Sequence, residues 1–111
     1  MMVKLIKSKI FNRNMENYEI DMQELKEKQK NGAVIVDVRS SQEYSEGHIN
    51  EAINIPYYEI KKNVNKVLNN KNQDIVLYCQ TGFRSKQAYK KLSKLEYKNL
   101  YNLYGGLDNW V

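Results

Sequence analysis

Short apolar runs alternate with segments of helical periodicity along this chain, and this alternation limits the possible folds more than any other feature. Residues 33–38 and 75–78 form nearly continuous apolar runs, which are typical of strands buried on both faces of a parallel sheet. In the segments between them, apolar residues recur at helical spacing. The pattern predicts an α/β fold in which helices cover both faces of a mostly parallel sheet.

About five short strands are expected. They fall at residues 18–20, 33–38, 52–55, 75–78 and 100–104. Helices are expected at residues 21–31, 40–47, 60–68 and 85–95, and residues 107–110 form at most one helical turn. Asp21 with Glu24, and Ser40 with Glu43, have the spacing of capping boxes, so they mark the starts of the first two helices.

The chain has 111 residues, enough for one small domain with a single core. We interpret residues 18–111 as that domain and residues 1–17 as an N-terminal extension that docks loosely, although a short amphipathic helix touching a membrane or partner is an alternative. The extension contains no signal-peptide core. No apolar run approaches the ~20 residues of a membrane span, so the sequence predicts a cytoplasmic protein.

The net charge of +5 is concentrated in the second half of the chain, where residues 57–111 hold 10 Lys/Arg against 4 Asp/Glu. Lys86, Lys90, Lys94 and Lys98 recur every fourth residue along one predicted helix. We interpret this stripe as a solvated helix face that adds a positive field for anionic substrates. Nucleic-acid binding is not expected, because the stripe lies in no recognition motif.

The only cysteine, Cys79, lies between a predicted strand and a predicted helix. Ligands bind at the carboxyl ends of strands in open α/β sheets, and a helix N-terminus favours a thiolate. Gly82 permits a tight loop, and Arg84 supplies a fixed cation. These residues indicate a nucleophilic cysteine; the alternative is a buried structural thiol. A single cysteine provides neither an internal disulfide nor a resolving thiol.

The stretch Cys-x-x-Gly-x-Arg-Ser at residues 79–85 resembles the active-site loop of single-domain rhodaneses, which are sulfurtransferases. Three further stretches are similar to the same family in the same order: residues 36–39 with Glu43, residues 47–49 with Ala52 and residues 54–56, and residues 105–107 with Trp110. The resemblance extends from about Tyr18 to the C-terminus. It therefore implies a rhodanese-like fold for nearly the whole chain.

The resemblance also implies a reaction. Cys79 would take a sulfane sulfur from a small anionic donor such as thiosulfate, hold it as a persulfide, and pass it to cyanide, a thiol or a protein acceptor. The loop around the sulfur would consist of Gln80, Thr81, Gly82, Phe83, Arg84 and Ser85. Asp37 and Arg39 would support this loop from behind, and Arg84 would hold either the loop or the donor's anionic end. The protein would be a monomer without a cofactor.

Other residues fit supporting roles. His48 follows a predicted helix end and is interpreted as structural, as is its family counterpart. One Cys and one His cannot complete a zinc site. The pair Gly105–Gly106 is expected to allow close backbone approach beside the site, and Trp110 is expected to anchor the core.

Two alternative functions remain. A cysteine phosphatase or arsenate reductase needs five residues between its Cys and Arg, whereas four separate Cys79 from Arg84 here. A non-catalytic or relay module that binds a protein partner is the other alternative. Some rhodaneses place a basic residue directly after the cysteine; Gln80 and Thr81 are neutral, a difference that bears on the choice of donor.

Overall fold

The computed structural model of the protein describes residues 15–110, so most of the predicted N-terminal extension lies outside the described residues. Five strands form one sheet in the order β1-β5-β4-β2-β3, and all neighbouring pairs are parallel. The strands are β1 Glu19–Ile20, β2 Val34–Asp37, β3 Ile53–Asn54, β4 Asp74–Tyr78 and β5 Asn99–Leu103. The predicted parallel α/β sheet is confirmed.

The helices connect these strands. They are α1 Met22–Lys30, α2 Ser41–Ser45, α3 Ile60–Val67 and α4 Phe83–Lys94, with short 3-10 turns at Tyr57–Glu59 and Gly106–Asn109. Both predicted capping boxes are present at the starts of α1 and α2. Helix α4 begins at Phe83 rather than near Ser85 as predicted, because Gly82 adopts a left-handed conformation (φ 99°) that turns the chain directly into the helix.

Alternate residues of β4 pack on opposite faces of the sheet. Ile75 and Leu77 join the core under α3 and α4, whereas Val76 and Tyr78 join the core under α1. Each face of the sheet thus has its own buried core, and helices cover both faces as predicted. The prediction for Trp110 is wrong: its side chain is 41% exposed, because it follows the last 3-10 turn, beyond the final strand of the sheet.

The register of the central strands β2 and β4 places their carboxyl ends side by side. Asp37 at the end of β2 lies opposite Tyr78 at the end of β4, so the segments that begin at Val38 and Cys79 leave the sheet side by side. Cys79 lies on the face covered by α3 and α4. None of the helices among residues 15–110 is both long and apolar enough to cross a membrane.

Candidate active site

The sulfur of Cys79 is surrounded by the loop that enters α4. The backbone N–H of Gly82 donates to Cys79 Sγ at 3.0 Å, and the backbone N–H of Ser85 donates at 3.3 Å. The Cys79 thiol donates to the Ser85 hydroxyl oxygen at 3.5 Å, and the Ser85 hydroxyl donates to the carbonyl oxygen of Gly82 at 3.1 Å. The loop is thus folded inward around one sulfur atom.

This arrangement favours negative charge on the sulfur. Two backbone donors and the positive end of the α4 dipole act on the same atom, and preorganised donors of this kind stabilise a thiolate or the terminal sulfur of a persulfide. The Cys79 side chain is fully buried. Burial alone would suit a structural thiol, but a structural thiol does not need two N–H groups directed at its sulfur.

The second 3-10 turn is joined to the cysteine loop by backbone hydrogen bonds. Leu107 N–H donates to the carbonyl of Cys79 at 3.0 Å, and Asp108 N–H donates to the carbonyl of Gln80 at 2.9 Å. Gly106 makes this approach possible: a Cβ atom there would lie 2.5 Å from both carbonyl oxygens. The predicted close backbone approach at Gly105–Gly106 is therefore confirmed.

Replacing Gly106 by Ala is expected to lower the free energy of unfolding by about 3 kcal/mol, because the new methyl group overlaps two carbonyl oxygens and the residue has a positive φ. Urea denaturation measures the loss. Gly32→Ala is the matched control, since Gly32 also has a positive φ but nothing lies within 4 Å of its added Cβ. The control is expected to lose only about 1 kcal/mol. Equal losses in the two variants would show that the turn does not pack tightly on the loop.

Arg84 contacts a carboxylate of the protein. Its Nη1 and Nη2 atoms donate to the two carboxylate oxygens of Glu43 in α2, at 2.7 and 2.9 Å. Of the two roles expected for Arg84, this geometry supports holding the loop rather than the donor. The hydrogen bonds from Arg84 lower the pKa of Glu43 to about 2, and bonds from Ser40 act in the same direction. The ion pair therefore ties the start of α4 to α2.

Replacing Glu43 by Gln is expected to lower the free energy of unfolding by about 1 kcal/mol at neutral pH, as for other partly exposed ion pairs. Because the folded-state pKa is depressed, the stabilisation is complete above about pH 4.5 and is lost as the pH falls towards 2. Urea denaturation at several pH values tests this. Glu46→Gln, at an exposed glutamate just after α2, is expected to change stability by less than about 0.5 kcal/mol. A Glu43→Gln deficit that stays constant down to pH 2 would rule out the ion pair as its source.

Asp37 and Arg39 form a buried ion pair behind the loop. Arg39 donates from Nε and Nη2 to the Asp37 carboxylate, with the shortest contact at 2.8 Å. The backbone N–H of Arg39 and the hydroxyl of Tyr78 each add a hydrogen bond of 2.8 Å. Asp37 is therefore paired with the guanidinium and the backbone N–H of Arg39, whereas Arg84 pairs with Glu43. Burial raises the pKa of Tyr78 well above its usual range, so its hydroxyl stays a donor.

Gln80 connects this buried pair to the rim of the site. Its amide oxygen accepts from Arg39 Nη1 at 3.3 Å, and its amide nitrogen donates to Asp108 Oδ1 at 2.7 Å. Only a side chain that both donates and accepts can make these two contacts, which gives a physical reason for the neutral residue after Cys79. The side chains of Thr81 and Phe83 are exposed, so the structure brings only the backbone of Gly82 and Ser85, with the Ser85 hydroxyl, to the sulfur.

His48 lies on the outside of the fold. Its ring stacks on Tyr44 with a centroid distance of 3.7 Å, and its Nδ1 lies 2.8 Å from the Tyr44 carbonyl oxygen. These contacts agree with the structural interpretation of His48. Among residues 15–110, no group of three His, Cys, Asp or Glu side chains is arranged to hold a metal ion.

An open cavity of about 290 Å³ lies beside the cysteine loop. Loop residues 81–83 form one wall, and the other lining residues are Glu19, Lys86, Tyr104 and Gly105. Lys86 was expected only in a solvated stripe, and no site role was predicted for Glu19 or Tyr104. No local sequence signal marks these residues, because the cavity forms between β1, β5 and α4, which are far apart along the chain.

Residues 21–111 match the family model of the rhodanese-like domain. A thiosulfate sulfurtransferase of Escherichia coli is 38% identical over 74 residues, covering 67% of this chain and 70% of that protein. A sulfurtransferase of Allochromatium vinosum is 32% identical over 95 residues, covering 84% of this chain and 87% of that protein. For four other curated relatives the match spans 20%, 40%, 27% and 60% of their length, so this chain corresponds to only part of each of them.

A solved structure supports the same relationship. A human single-domain sulfurtransferase superposes with a TM-score of 0.76 at 26% identity, covering 86% of this chain and 96% of that one. The family match over residues 21–111 includes the cysteine loop and strands β2 and β4, which position it. This chain belongs to the family of rhodanese-like domains.

Proposed function

We propose that the protein is a sulfurtransferase that carries sulfane sulfur on Cys79. The Cys79 thiolate attacks the outer sulfur of a donor such as thiosulfate, the S–S bond of the donor breaks, and sulfite leaves with the electron pair. A thiol or cyanide acceptor then removes the outer sulfur from the persulfide, and the thiolate is restored. The observation that carries this proposal is the pair of N–H donors on Cys79 Sγ at the start of α4.

The surrounding residues would position the loop rather than react. The Asp37–Arg39 pair supports Gln80, Gln80 holds Asp108, and the Arg84–Glu43 pair fixes the first turn of α4. Each of these contacts limits movement of the loop backbone, whose N–H groups must remain directed at the sulfur. A change in their strength is therefore expected to alter the rate through loop geometry.

The names of two relatives support thiosulfate as the sulfur donor. The Escherichia coli relative is named as a thiosulfate sulfurtransferase, and a Saccharomyces cerevisiae relative, 30% identical over 110 residues, as a thiosulfate:glutathione sulfurtransferase. The basic second half of the chain would attract an anionic donor of this kind. The name of the Saccharomyces cerevisiae relative favours a low-molecular-weight thiol as the acceptor.

A phosphatase or arsenate reductase function has less support. Such enzymes need a loop that surrounds a tetrahedral oxyanion and an arginine that contacts it. Here four residues separate Cys79 from Arg84, and the two terminal nitrogens of the Arg84 guanidinium donate to the Glu43 carboxylate. This shorter loop suits one sulfur atom rather than a tetrahedral oxyanion. A non-catalytic module would not need the N–H donors around Sγ, although a sulfur relay between proteins would use them.

Measurement of sulfite release distinguishes a sulfurtransferase from a phosphatase. Purified protein mixed with thiosulfate and a thiol or cyanide acceptor is expected to release sulfite catalytically, with a turnover in the usual enzyme range of about 1–10³ s⁻¹. Hydrolysis of para-nitrophenyl phosphate by the same sample is expected to be very slow. The opposite result, hydrolysis in that range with no sulfite release, would favour the phosphatase.

A further inference from the structure

The cavity beside the cysteine loop has the size and position of a binding site for a second reactant. Its volume of about 290 Å³ lies just below the range of about 300–1,000 Å³ that is typical of small-molecule pockets. It shares Gly82 with the sulfur site, since the N–H of Gly82 donates to Cys79 Sγ. A molecule bound there would lie against the loop that holds the sulfur.

One part of the cavity lining is suited to an anion. Lys86, in the first turn of α4, lies with its Nζ 3.7 Å from Oε2 of Glu19. The Glu19 side chain is 1% exposed and the Lys86 side chain 44% exposed, so the carboxylate holds the ammonium from the buried side. A lysine ammonium has three N–H donors, and one ion pair leaves others for a ligand. The nearby helix N-terminus adds positive potential.

Another part of the lining is aromatic. Phe83 is 69% exposed, although a phenylalanine is usually buried, and Tyr104 lies on the same cavity. An uncovered aromatic ring beside a cavity favours contact with the carbon chain of a ligand. The lining therefore combines a cation with apolar surface within reach of one small molecule.

We propose, on the basis of the sulfurtransferase function above, that this cavity binds the sulfur acceptor as a small thiol that carries a carboxylate. The carboxylate pairs with Lys86, and the carbon chain lies against Phe83. The acceptor thiol loses its proton to water, and its thiolate attacks the outer sulfur of the Cys79 persulfide. The bond between the two persulfide sulfurs breaks, a new S–S bond forms in the acceptor persulfide, and Cys79 leaves as the thiolate.

The test uses Cys79 persulfide formed with thiosulfate and freed of excess donor. Its discharge is timed with three small thiols: mercaptopropionate with a carboxylate, mercaptoethanol without charge, and cysteamine with an ammonium. For each thiol the rate in Lys86→Gln is divided by the rate in the wild type, which cancels differences in intrinsic thiol reactivity. We expect Lys86→Gln to slow persulfide discharge by mercaptopropionate about fivefold. The rate of discharge by mercaptoethanol is expected to stay nearly unchanged. Equal ratios for all three thiols would overturn the proposal.

Two controls make the result specific. Lys90→Gln removes the same charge one turn later on the exposed face of α4, outside the cavity, and is expected to change none of the three rates. Lys86→Arg keeps the charge and is expected to restore most of the mercaptopropionate rate. Selective slowing in Lys90→Gln as well would show that only the general field of the lysine stripe matters, and would also overturn the proposal.

A second measurement needs no variant. In the wild type, propionate is expected to slow discharge by mercaptoethanol because it occupies the cavity, whereas propanol is not; equal effects of the two would contradict the proposed site. Intact-mass measurement of the loaded protein separates this inference from the proposed function. Absence of a persulfide would refute sulfur transfer itself, whereas a persulfide discharged without regard to acceptor charge would refute only the acceptor site.

Discussion

Replacing Cys79 by Ser is expected to reduce sulfur transfer from thiosulfate by at least about 10³-fold, because a serine hydroxyl is not ionised at neutral pH and forms no persulfide. The loop's N–H donors remain in place in this variant, so the loss isolates the sulfur atom from its surroundings. Sulfite release in the presence of a thiol acceptor measures the effect. The chain has no second cysteine that could substitute for Cys79.

The fold of the Cys79→Ser variant must be checked alongside its activity. Cys79 is buried in the core that α3 and α4 cover, and a serine there loses little volume. Circular dichroism is expected to show unchanged secondary structure at the assay temperature. A folded Cys79→Ser protein that keeps one tenth of the wild-type rate would be incompatible with the proposed reaction.

Replacing Asp37 by Asn is expected to lower the free energy of unfolding by about 3–5 kcal/mol, because it leaves the buried Arg39 guanidinium without a compensating charge. Domains of this size are stable by only about 5–15 kcal/mol, so much of the protein would be unfolded in mild urea. The activity is expected to fall as well, since Arg39 supports Gln80 at the start of the cysteine loop. Urea denaturation followed by circular dichroism gives the measurement.

Two further variants separate the buried ion pair from charge removal in general. Asp74→Asn removes the same charge at the exposed first residue of β4 and is expected to change stability by less than about 0.5 kcal/mol. The double variant Asp37→Leu/Arg39→Met removes both charges and is expected to be less destabilised than Asp37→Asn. If Asp37→Asn cost no more than Asp74→Asn, the ion pair would not support the loop.

The sequence predicted those parts of the fold that depend on neighbouring residues. The buried strands follow from apolar runs, and the starts of α1 and α2 follow from capping boxes that span three residues. Helix α4 begins at Phe83, two residues before the predicted start near Ser85. The left-handed conformation of Gly82 lets the helix begin earlier than its apolar periodicity indicates. The prediction that Trp110 anchors the core was wrong, because the last 3-10 turn places this residue beyond the final strand of the sheet.

The candidate site was predicted less completely, because its side-chain contacts join distant segments. Cys79 and its loop could be identified from a local motif, whereas Arg84 and Glu43 are 41 residues apart, and so are Arg39 and Gln80. These pairs meet only because β2 lies beside β4 in the sheet. Gln80 and Asp108 meet because the last 3-10 turn folds back onto the loop. Such partners depend on strand order, which a local pattern does not contain.

The central claim is that Cys79 carries a sulfane sulfur, and intact-mass spectrometry tests it most directly. Purified protein is incubated with thiosulfate, separated from the donor, and measured before and after addition of an excess of thiol. The wild type is expected to gain the mass of one sulfur atom and to lose it on addition of the thiol, while Cys79→Ser gains nothing. A wild-type protein that gains no mass, or a Cys79→Ser protein that gains the same mass, would contradict the account.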